Sequence, residues 1–446
     1  MVKKFTRKMF DYQMFILSRA KSRFFSIITL AVLIFIIYTV CIVSEMSHKS
    51  VHAFYTDHKK IEGELGTHEG ADQGAILKSS TINPIKLRSI QEEGDDDRVD
   101  DDKDHFPVPP FNVSEQERIE WLRKNIPKFE IFKSNNFTRR FHGRVLEFFN
   151  RDSCEAQFFM TWIAPAKWFG EREFLAMKSL FKVHPRGCLM ILSRSMDSAQ
   201  GHMILKPLLD RGLKVKAVTP DLAFLFKGTP AKTWFDGIRS GKKDPGEISL
   251  AQNLSNLLRL AVLFKYGGVY LDTDFIVIKP FTGLKNSIGA QSIDVESRKW
   301  TRLNNAILVF DMNHPLLLKF MEEFAYTFDG NKWGHNGPYL VSRVVERVRM
   351  RPGYNFSVLP PMAFYPADWI RIRRFFQKPK NQNDLRWVKA KLLQLSEETY
   401  GVHLWNKQTS RLTIEQGSVL GRLISDHCVI CNKITNIRKS YHISES

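Results

Sequence analysis

With 446 residues, 43% of them hydrophobic and 34 of them phenylalanine, the chain can build a sizeable core: one large catalytic domain plus extensions. Its net charge of +19 suits anionic partners such as phosphates or anionic lipid. The basic residues are dispersed, however, with no sustained basic helix or nucleic-acid motif, so nucleic acid is not an expected partner.

The N-terminus sets the expected compartment. Phe24 to Val43 is an uncharged apolar run long enough to cross about 30 Å of hydrocarbon as a helix. Lys3, Lys4, Arg7, Lys8, Arg19, Lys21 and Arg23 precede it against only Asp11, which holds the tail in the cytosol. The run exceeds the ~7–15 apolar residues of a cleaved signal peptide. The expected topology is therefore a single-pass type II anchor, with residues 1–23 cytosolic, 24–43 transmembrane and the rest lumenal. Cys41 falls in the anchor, leaving Cys154, Cys188, Cys428 and Cys431, an even number for an oxidising compartment, with connectivity open.

Residues 44–150 read as a lumenal stem, largely disordered. The acidic run at 92–104 cannot bury enough apolar area to fold and acts as a solvated spacer, with calcium binding as the lesser alternative. Pro107, Pro109 and Pro110 stiffen its end. Asn112, Asn136, Asn253 and Asn355 head glycan sequons, although Asn253 falls inside a predicted helix.

The folded domain is expected over 151–431, with a polar basic tail at 432–446. Phe158–Ile163 reads as a first buried strand, Glu171–Lys182 as a helix, and Cys188–Leu192 as a second strand. Gly201–Arg211 reads as a helix and Val215–Val218 as a third strand. Strands alternating with helices of about 10–15 residues argue for an α/β fold with a mixed, mostly parallel sheet. Asp221–Asp244 looks irregular. Ile288–Gln291 and Asn305–Phe310 are further strands, His314–Phe328 and Leu340–Met350 helices, and Ser357–Phe364 a closing strand. The basic segment Ala367–Lys391 reads as a solvated insertion loop, with an acceptor- or membrane-facing surface as the alternative. Tyr400–Lys407 has a strand-like setting.

The informative stretch is Ala251–Phe281. Leu254, Leu257, Leu258, Ala261 and Val262 recur at helical spacing to about Phe264, and Gly267-Gly268 supply a positive-φ stop. Val269–Ile278 reads as one strand, whose alternation would point Tyr270, Asp272 and Asp274 to one side. Paired aspartates also occur as ordinary turn residues. Here they sit where open α/β sheets bind ligands, with glycine and an aromatic beside them. Two carboxylates offer hard oxygen ligands and leave a divalent cation open positions for a phosphorylated ligand. Gln252, Asn256 and Arg259 form a polar stripe on the preceding helix. An aspartyl-phosphate hydrolase would need a hydroxyl residue where Ile276 stands. A non-catalytic glycan or nucleotide-sugar binder is the remaining alternative.

The run Asn253–Asp274, NLSNLLRLAVLFKYGGVYLDTD, resembles the D-x-D region of α1,4-glycosyltransferases, the family of lactosylceramide 4-α-galactosyltransferase and its plant homologues. The resemblance extends through Trp300–Asn305, Gly334–Pro338 and Val402–Asn406, over about Gln157 to Cys431. It implies a GT-A fold, a UDP-sugar donor carrying a hexose or N-acetylhexosamine, Mn²⁺, and transfer with retention to a glycan or glycolipid in the Golgi. It further implies Asp274 as direct metal ligand and Asp272 as a donor contact reaching the metal through water. Tyr270 would pack near the ribose, Arg259 and Asn256 would hold the donor sugar, and Trp162 would stack on the uracil. His403 and Trp405 would close on metal and diphosphate, and Asn305 and Gly337 would face the acceptor. Relatives often carry aspartate at the position of Asn256, which leaves the donor sugar open.

Overall fold

The computed structural model describes residues 107–150, 154–294 and 296–426. The expected anchor, the acidic spacer, Cys428, Cys431 and the tail lie outside the described residues. Among those described, no helix is long and apolar enough to cross a membrane.

Seven strands form the main sheet: β1 (Gln157–Thr161), β2 (Cys188–Leu192), β3 (Lys214–Val218), β4 (Gly268–Leu271), β6 (Ser287–Ile293), β7 (Trp300–Phe310) and β8 (Ser357–Leu359). Their order is β3-β2-β1-β4-β7-β6-β8. The β3-β2-β1-β4 half is parallel, β7 runs antiparallel to β4 and β6, and β8 pairs parallel with β6. The expected mixed, mostly parallel α/β sheet is therefore present. A separate ribbon pairs β5 (Phe275–Val277) antiparallel with β9 (Gly401–His403).

Side-chain alternation divides the core between the two sheet faces. Phe159, Met190, Tyr270 and Leu308 face one layer, Phe158, Leu189, Val269 and Ile307 the other. The first layer receives the central helix Leu250–Tyr266, whose Leu254, Leu257, Leu258 and Ala261 are fully buried. That helix ends where Gly267 and Gly268 turn to φ +66° and +104°. A Cβ on Gly268 would come within 2.7 Å of the Gln157 carbonyl oxygen, so glycine lets β4 enter the sheet directly against β1.

Several expectations change. Val269–Ile278 is not one strand: the chain leaves the main sheet after Leu271 and joins the ribbon at Phe275. Asp221–Asp244 holds two helices, Leu222–Phe226 and Ala231–Arg239; Gly228 and Pro230 between them mask the helical spacing of Ala231, Trp234, Phe235 and Ile238. Ser357–Phe364 is a strand only to Leu359, because Pro360 and Pro361 end it and open a short helical turn. The basic segment is no loop. It contains the turn Arg373–Phe376 and the helix Gln382–Glu398, which buries only Val388 and Leu395 and so shows little apolar periodicity. A third core cluster under it joins Ile276 and Val402 of the ribbon to Leu395 and Leu420.

The folded part also starts well before 151. Helices Glu115–Asn125 and Phe141–Phe148 belong to it, the first opened by a Ser114–Glu117 capping box. Leu122, Phe129, Phe141 and Val145 are fully buried in the first layer. Two bidentate ion pairs fasten this arm: Arg118 on Asp244, and Arg144 on Asp197 at 2.6 and 2.7 Å. Cys154 and Cys188 form a disulfide where β2 begins.

Asp197 also accepts from the Thr219 amide and hydroxyl. Burial alone would raise its pKa, but Arg144 and Thr219 outweigh that and hold it below the usual carboxylate value. A depressed folded pKa contributes stability above the unfolded value, and that contribution is lost as pH falls through the folded value. Asp197→Asn is expected to lower unfolding stability by about 2–3 kcal/mol near pH 7. The gap from wild type should narrow below roughly pH 4 in denaturant titrations run across pH.

Candidate metal and donor site

The site lies where the chain crosses from the main sheet to the ribbon. Asp272 follows β4, its amide still donating to the Ala306 carbonyl of β7 at 2.9 Å. Asp274 precedes β5, and its carbonyl accepts the Leu404 amide at 2.8 Å. Phe275 lies opposite His403 in the ribbon. Asp272, Asp274 and His403 thereby offer one ligand atom each within 4.8 Å of one another. Two carboxylate oxygens and one imidazole nitrogen suit a divalent ion such as Mn²⁺ and leave other coordination positions open.

Hydrogen bonds and ion pairs among these three residues offset their charges. His403 Nε2 lies 3.2 Å from Asp274 Oδ1 and 3.9 Å from Asp272 Oδ2. Its Nδ1 accepts the Trp405 amide at 3.3 Å, an assignment that puts the ring proton on Nε2, where the cation would otherwise bind. Burial opposes the charged form of His403, but Asp274 and then Asp272 outweigh it and raise its pKa. Burial likewise opposes ionised Asp274, yet His403 and the Asn406 amide at 2.8 Å hold its pKa below the usual value. Asp272 goes the other way: burial, with Asp274 adding to it, outweighs Arg259 and raises its pKa.

Arg259 is 3% exposed and fully engaged. It donates to the Ser255 carbonyl and hydroxyl and to the Asn305 carbonyl, and lies 3.1 Å from Asp272 Oδ1. Its guanidinium stacks 4.5 Å over the Tyr270 ring. Tyr270 is fully buried, so the expected packing on a ribose finds no exposed ring. Its hydroxyl donates to Asp272 Oδ1 at 2.9 Å and is bridged to Ser255 through Thr161. Arg259 and Tyr270 thus hold Asp272 from beneath.

Asn256, Asn305 and Gly337 come together. The Asn305 amide donates to Asn256 Oδ1 at 3.0 Å, and a Cβ on Gly337 would meet that same oxygen at 3.0 Å. Trp405 packs edge-on to His403 at 4.5 Å, and its indole N–H donates to the Ala367 carbonyl. Trp162 follows Thr161 directly, but its own contacts run to Pro165 and Phe169. Asn253 is 2% exposed and bonded by Asn336, which removes it as a glycan site, whereas Asn112, Asn136 and Asn355 are exposed.

Sequence reasoning missed three contributors: Arg172, Thr161 and Ser255. Arg172 donates to Asn406 Oδ1, Thr409 Oγ1 and the Leu412 carbonyl, fixing the segment whose amide reaches Asp274. Trp405 sits in the left-handed region at φ +55°, a costly conformation off glycine that turns the Asn406 amide toward that carboxylate. Thr161 and Ser255 complete the support under Asp272. None carries a spacing signal; only the D-x-D marks the neighbourhood.

Two family models match the chain. The glycosyltransferase sugar-binding region containing a DXD motif matches residues 170–294, and the alpha 1,4-glycosyltransferase conserved region matches residues 309–435. These matches make the chain a glycosyltransferase. More narrowly, the chain belongs to the alpha 1,4-glycosyltransferase family. Lactosylceramide 4-alpha-galactosyltransferase of Mus musculus is 31% identical over 57% of this chain and 68% of its own length. Alpha-1,4-N-acetylglucosaminyltransferase of Homo sapiens is 30% identical over 47% of this chain and 58% of its own. An uncharacterized Arabidopsis thaliana protein is 29% identical over 64% of this chain, which spans 44% of that relative's length. The site straddles the two matched regions: Arg259, Asp272 and Asp274 lie in the first, Gly337, His403 and Trp405 in the second.

Removing the buried Arg259 leaves Asp272 facing Asp274 without its cation. Arg259→Met is expected to cost about 3 kcal/mol, and Asp272→Asn added to it should recover part of that loss. A double-mutant cycle read by thermal unfolding checks this; strict additivity would contradict the coupling.

Proposed function

We propose that the chain is a metal-dependent, retaining glycosyltransferase of GT-A type. It moves a hexose or N-acetylhexosamine from a UDP-sugar to a glycan or glycolipid in an α1,4 linkage, on the lumenal face of a type II Golgi anchor. The observation that carries this reading is the convergence of Asp272, Asp274 and His403 at the crossing between sheet and ribbon, within a family whose named members transfer galactose or N-acetylglucosamine.

A bound Mn²⁺ would offset the negative charge that develops on the leaving diphosphate. Asp274 and His403 would be its direct ligands, with Asp272 reaching it through water. Asp272, gripped by Arg259 and Tyr270, is also pre-set for a hydrogen bond to the donor's ribose or sugar, because its supports fix the carboxylate before ligand arrives. Asn256 and Asn305 offer amide groups to the sugar hydroxyls. In the transfer, the bond from the anomeric carbon to the diphosphate oxygen breaks and one to the acceptor oxygen forms on the same face. The acceptor's proton passes to the departing diphosphate oxygen.

The test is donor hydrolysis, which needs no acceptor. Detergent-solubilised full chain with Mn²⁺ should hydrolyse UDP-galactose or UDP-N-acetylglucosamine. EDTA should abolish the activity and added Mn²⁺ restore it. Asp274→Ala should lower kcat/KM by about 100-fold or more, the scale of losing a charge-stabilising group. Wild-type activity in Asp274→Ala, or turnover indifferent to EDTA, would count against the assignment.

A further inference from the structure

Beside the triad lies a tyrosine that the site as described does not use. Tyr365 is 2% exposed. Its ring is held on several sides: 5.9 Å from His403 and 5.8 Å from Trp405 by ring centroids, and against Phe364. Gly289 of β6 makes room for it, since a Cβ there would fall 2.8 Å from Tyr365 Cε2. The Tyr365 amide is fixed on the Pro361 carbonyl at 2.7 Å. Packing therefore determines where the ring sits, and a phenylalanine ring would pack equally well.

The hydroxyl is what packing leaves unexplained. The Ile307 amide faces its oxygen, but among the described residues no acceptor takes its proton. A buried donor without an acceptor is costly and rare in folded proteins. The charged groups around it are Asp272, Arg259 and Asp274. Asp272 Oδ1 is already taken by Tyr270 and Arg259, and Asp274 Oδ2 by the Asn406 amide. A tyrosine phenol ionises at about pH 10, so the group is a neutral donor at physiological pH. An uncharged donor set beside a cation-binding carboxylate pair suits an anionic oxygen that arrives with the cation.

We infer that Tyr365 is a further donor-binding residue, whose hydroxyl gives its hydrogen bond to a phosphate oxygen of the bound nucleotide diphosphate. This rests on the nucleotide-sugar reading above. Tyr365 then has its acceptor only in the liganded enzyme, and the unmet bond of the free state is recovered on binding.

Tyr365→Phe in the full chain removes one oxygen and tests this with two readouts. Without metal or nucleotide, its unfolding followed by tryptophan fluorescence should occur at or above the wild-type temperature, because only an unpaired polar group is lost. With Mn²⁺, its affinity for UDP, read by calorimetry, should fall by about tenfold or more. UDP-galactose and UDP-N-acetylglucosamine should weaken to the same extent as UDP, because the contact is to the shared diphosphate. A lower unfolding temperature would make the hydroxyl structural and overturn the inference, as would wild-type UDP affinity or a loss confined to the UDP-sugars. If wild type itself does not bind UDP with Mn²⁺, the donor reading falls and this inference with it. Wild-type binding that Tyr365→Phe leaves unchanged sinks the inference alone.

Discussion

The register of one short ribbon governs the site. β5 has three residues and β9 has three, and their pairing sets Phe275 opposite His403. Because strand pairing is all-or-none in register, a slip of one residue would turn His403 to the other face. With the observed register, His403 arrives beside Asp274 and the turn after it delivers the Asn406 amide to the same carboxylate. β5 is held on its other side by the helix Glu171–Val183, whose Ser179 hydroxyl accepts the Val277 amide at 2.9 Å. Arg172, from the first turn of that helix, pins the chain after β9. One helix thus fixes both strands whose pairing brings Asp274 and His403 together.

Asp272 is held by different means. Its backbone belongs to the main sheet, and its side chain rests on a buried arginine and a buried phenol. Removing charges from water is costly unless they are paired and fully hydrogen-bonded. The structure meets that demand for Arg259 with partners from its own helix, β7 and Asp272. The two aspartates therefore have opposite electrostatic characters only two residues apart, one raised by burial beside Asp274 and the other lowered by His403. A cation held between them would find Asp274 favouring its ionised form and would add at Asp272 the positive charge that Arg259 supplies only in part.

The legible parts of this architecture were local ones. Buried parallel strands such as Cys188–Leu192 announce themselves as apolar runs, and the central helix announces itself by its leucine spacing and glycine stop. D-x-D marked the site because two acids after an apolar strand are unusual core residues. What escaped was long-range or masked by composition. Nothing in Val269–Ile278 says that the chain changes sheets after Leu271, since both pieces are apolar and alternate alike. Gln382–Glu398 buries two side chains in seventeen residues, so its charge dominates its periodicity. Residues 114–149 looked like stem because their many charged and polar residues dilute the buried Leu122, Phe129 and Phe141. Tyr365 has no motif at all. Its meaning depends on a buried hydroxyl left without a partner by the fold around it, which no spacing in the sequence encodes.

The D-x-D motif is therefore necessary to this site without being sufficient for it. Asp274 is separated by 132 residues from the amide that orients its carboxylate, and His403 comes from the same distant segment. Between them run β6, β7, the two helices after it, β8 and the long basic insertion, so β9 meets β5 only across a long stretch of intervening chain. Without that pairing the two carboxylates would lie two residues apart with only Arg259 to offset them, which disfavours full ionisation of both. Closing β9 onto β5 brings the imidazole, the Asn406 amide and, through Ala367 and Trp405, the Tyr365 ring to the same place. The insertion that looked like a solvated loop then acquires a structural reason: its helices cover the outer face of the ribbon at Ile276 and Val402, and without that cover a two-stranded ribbon of three residues each has too little buried area to hold its register.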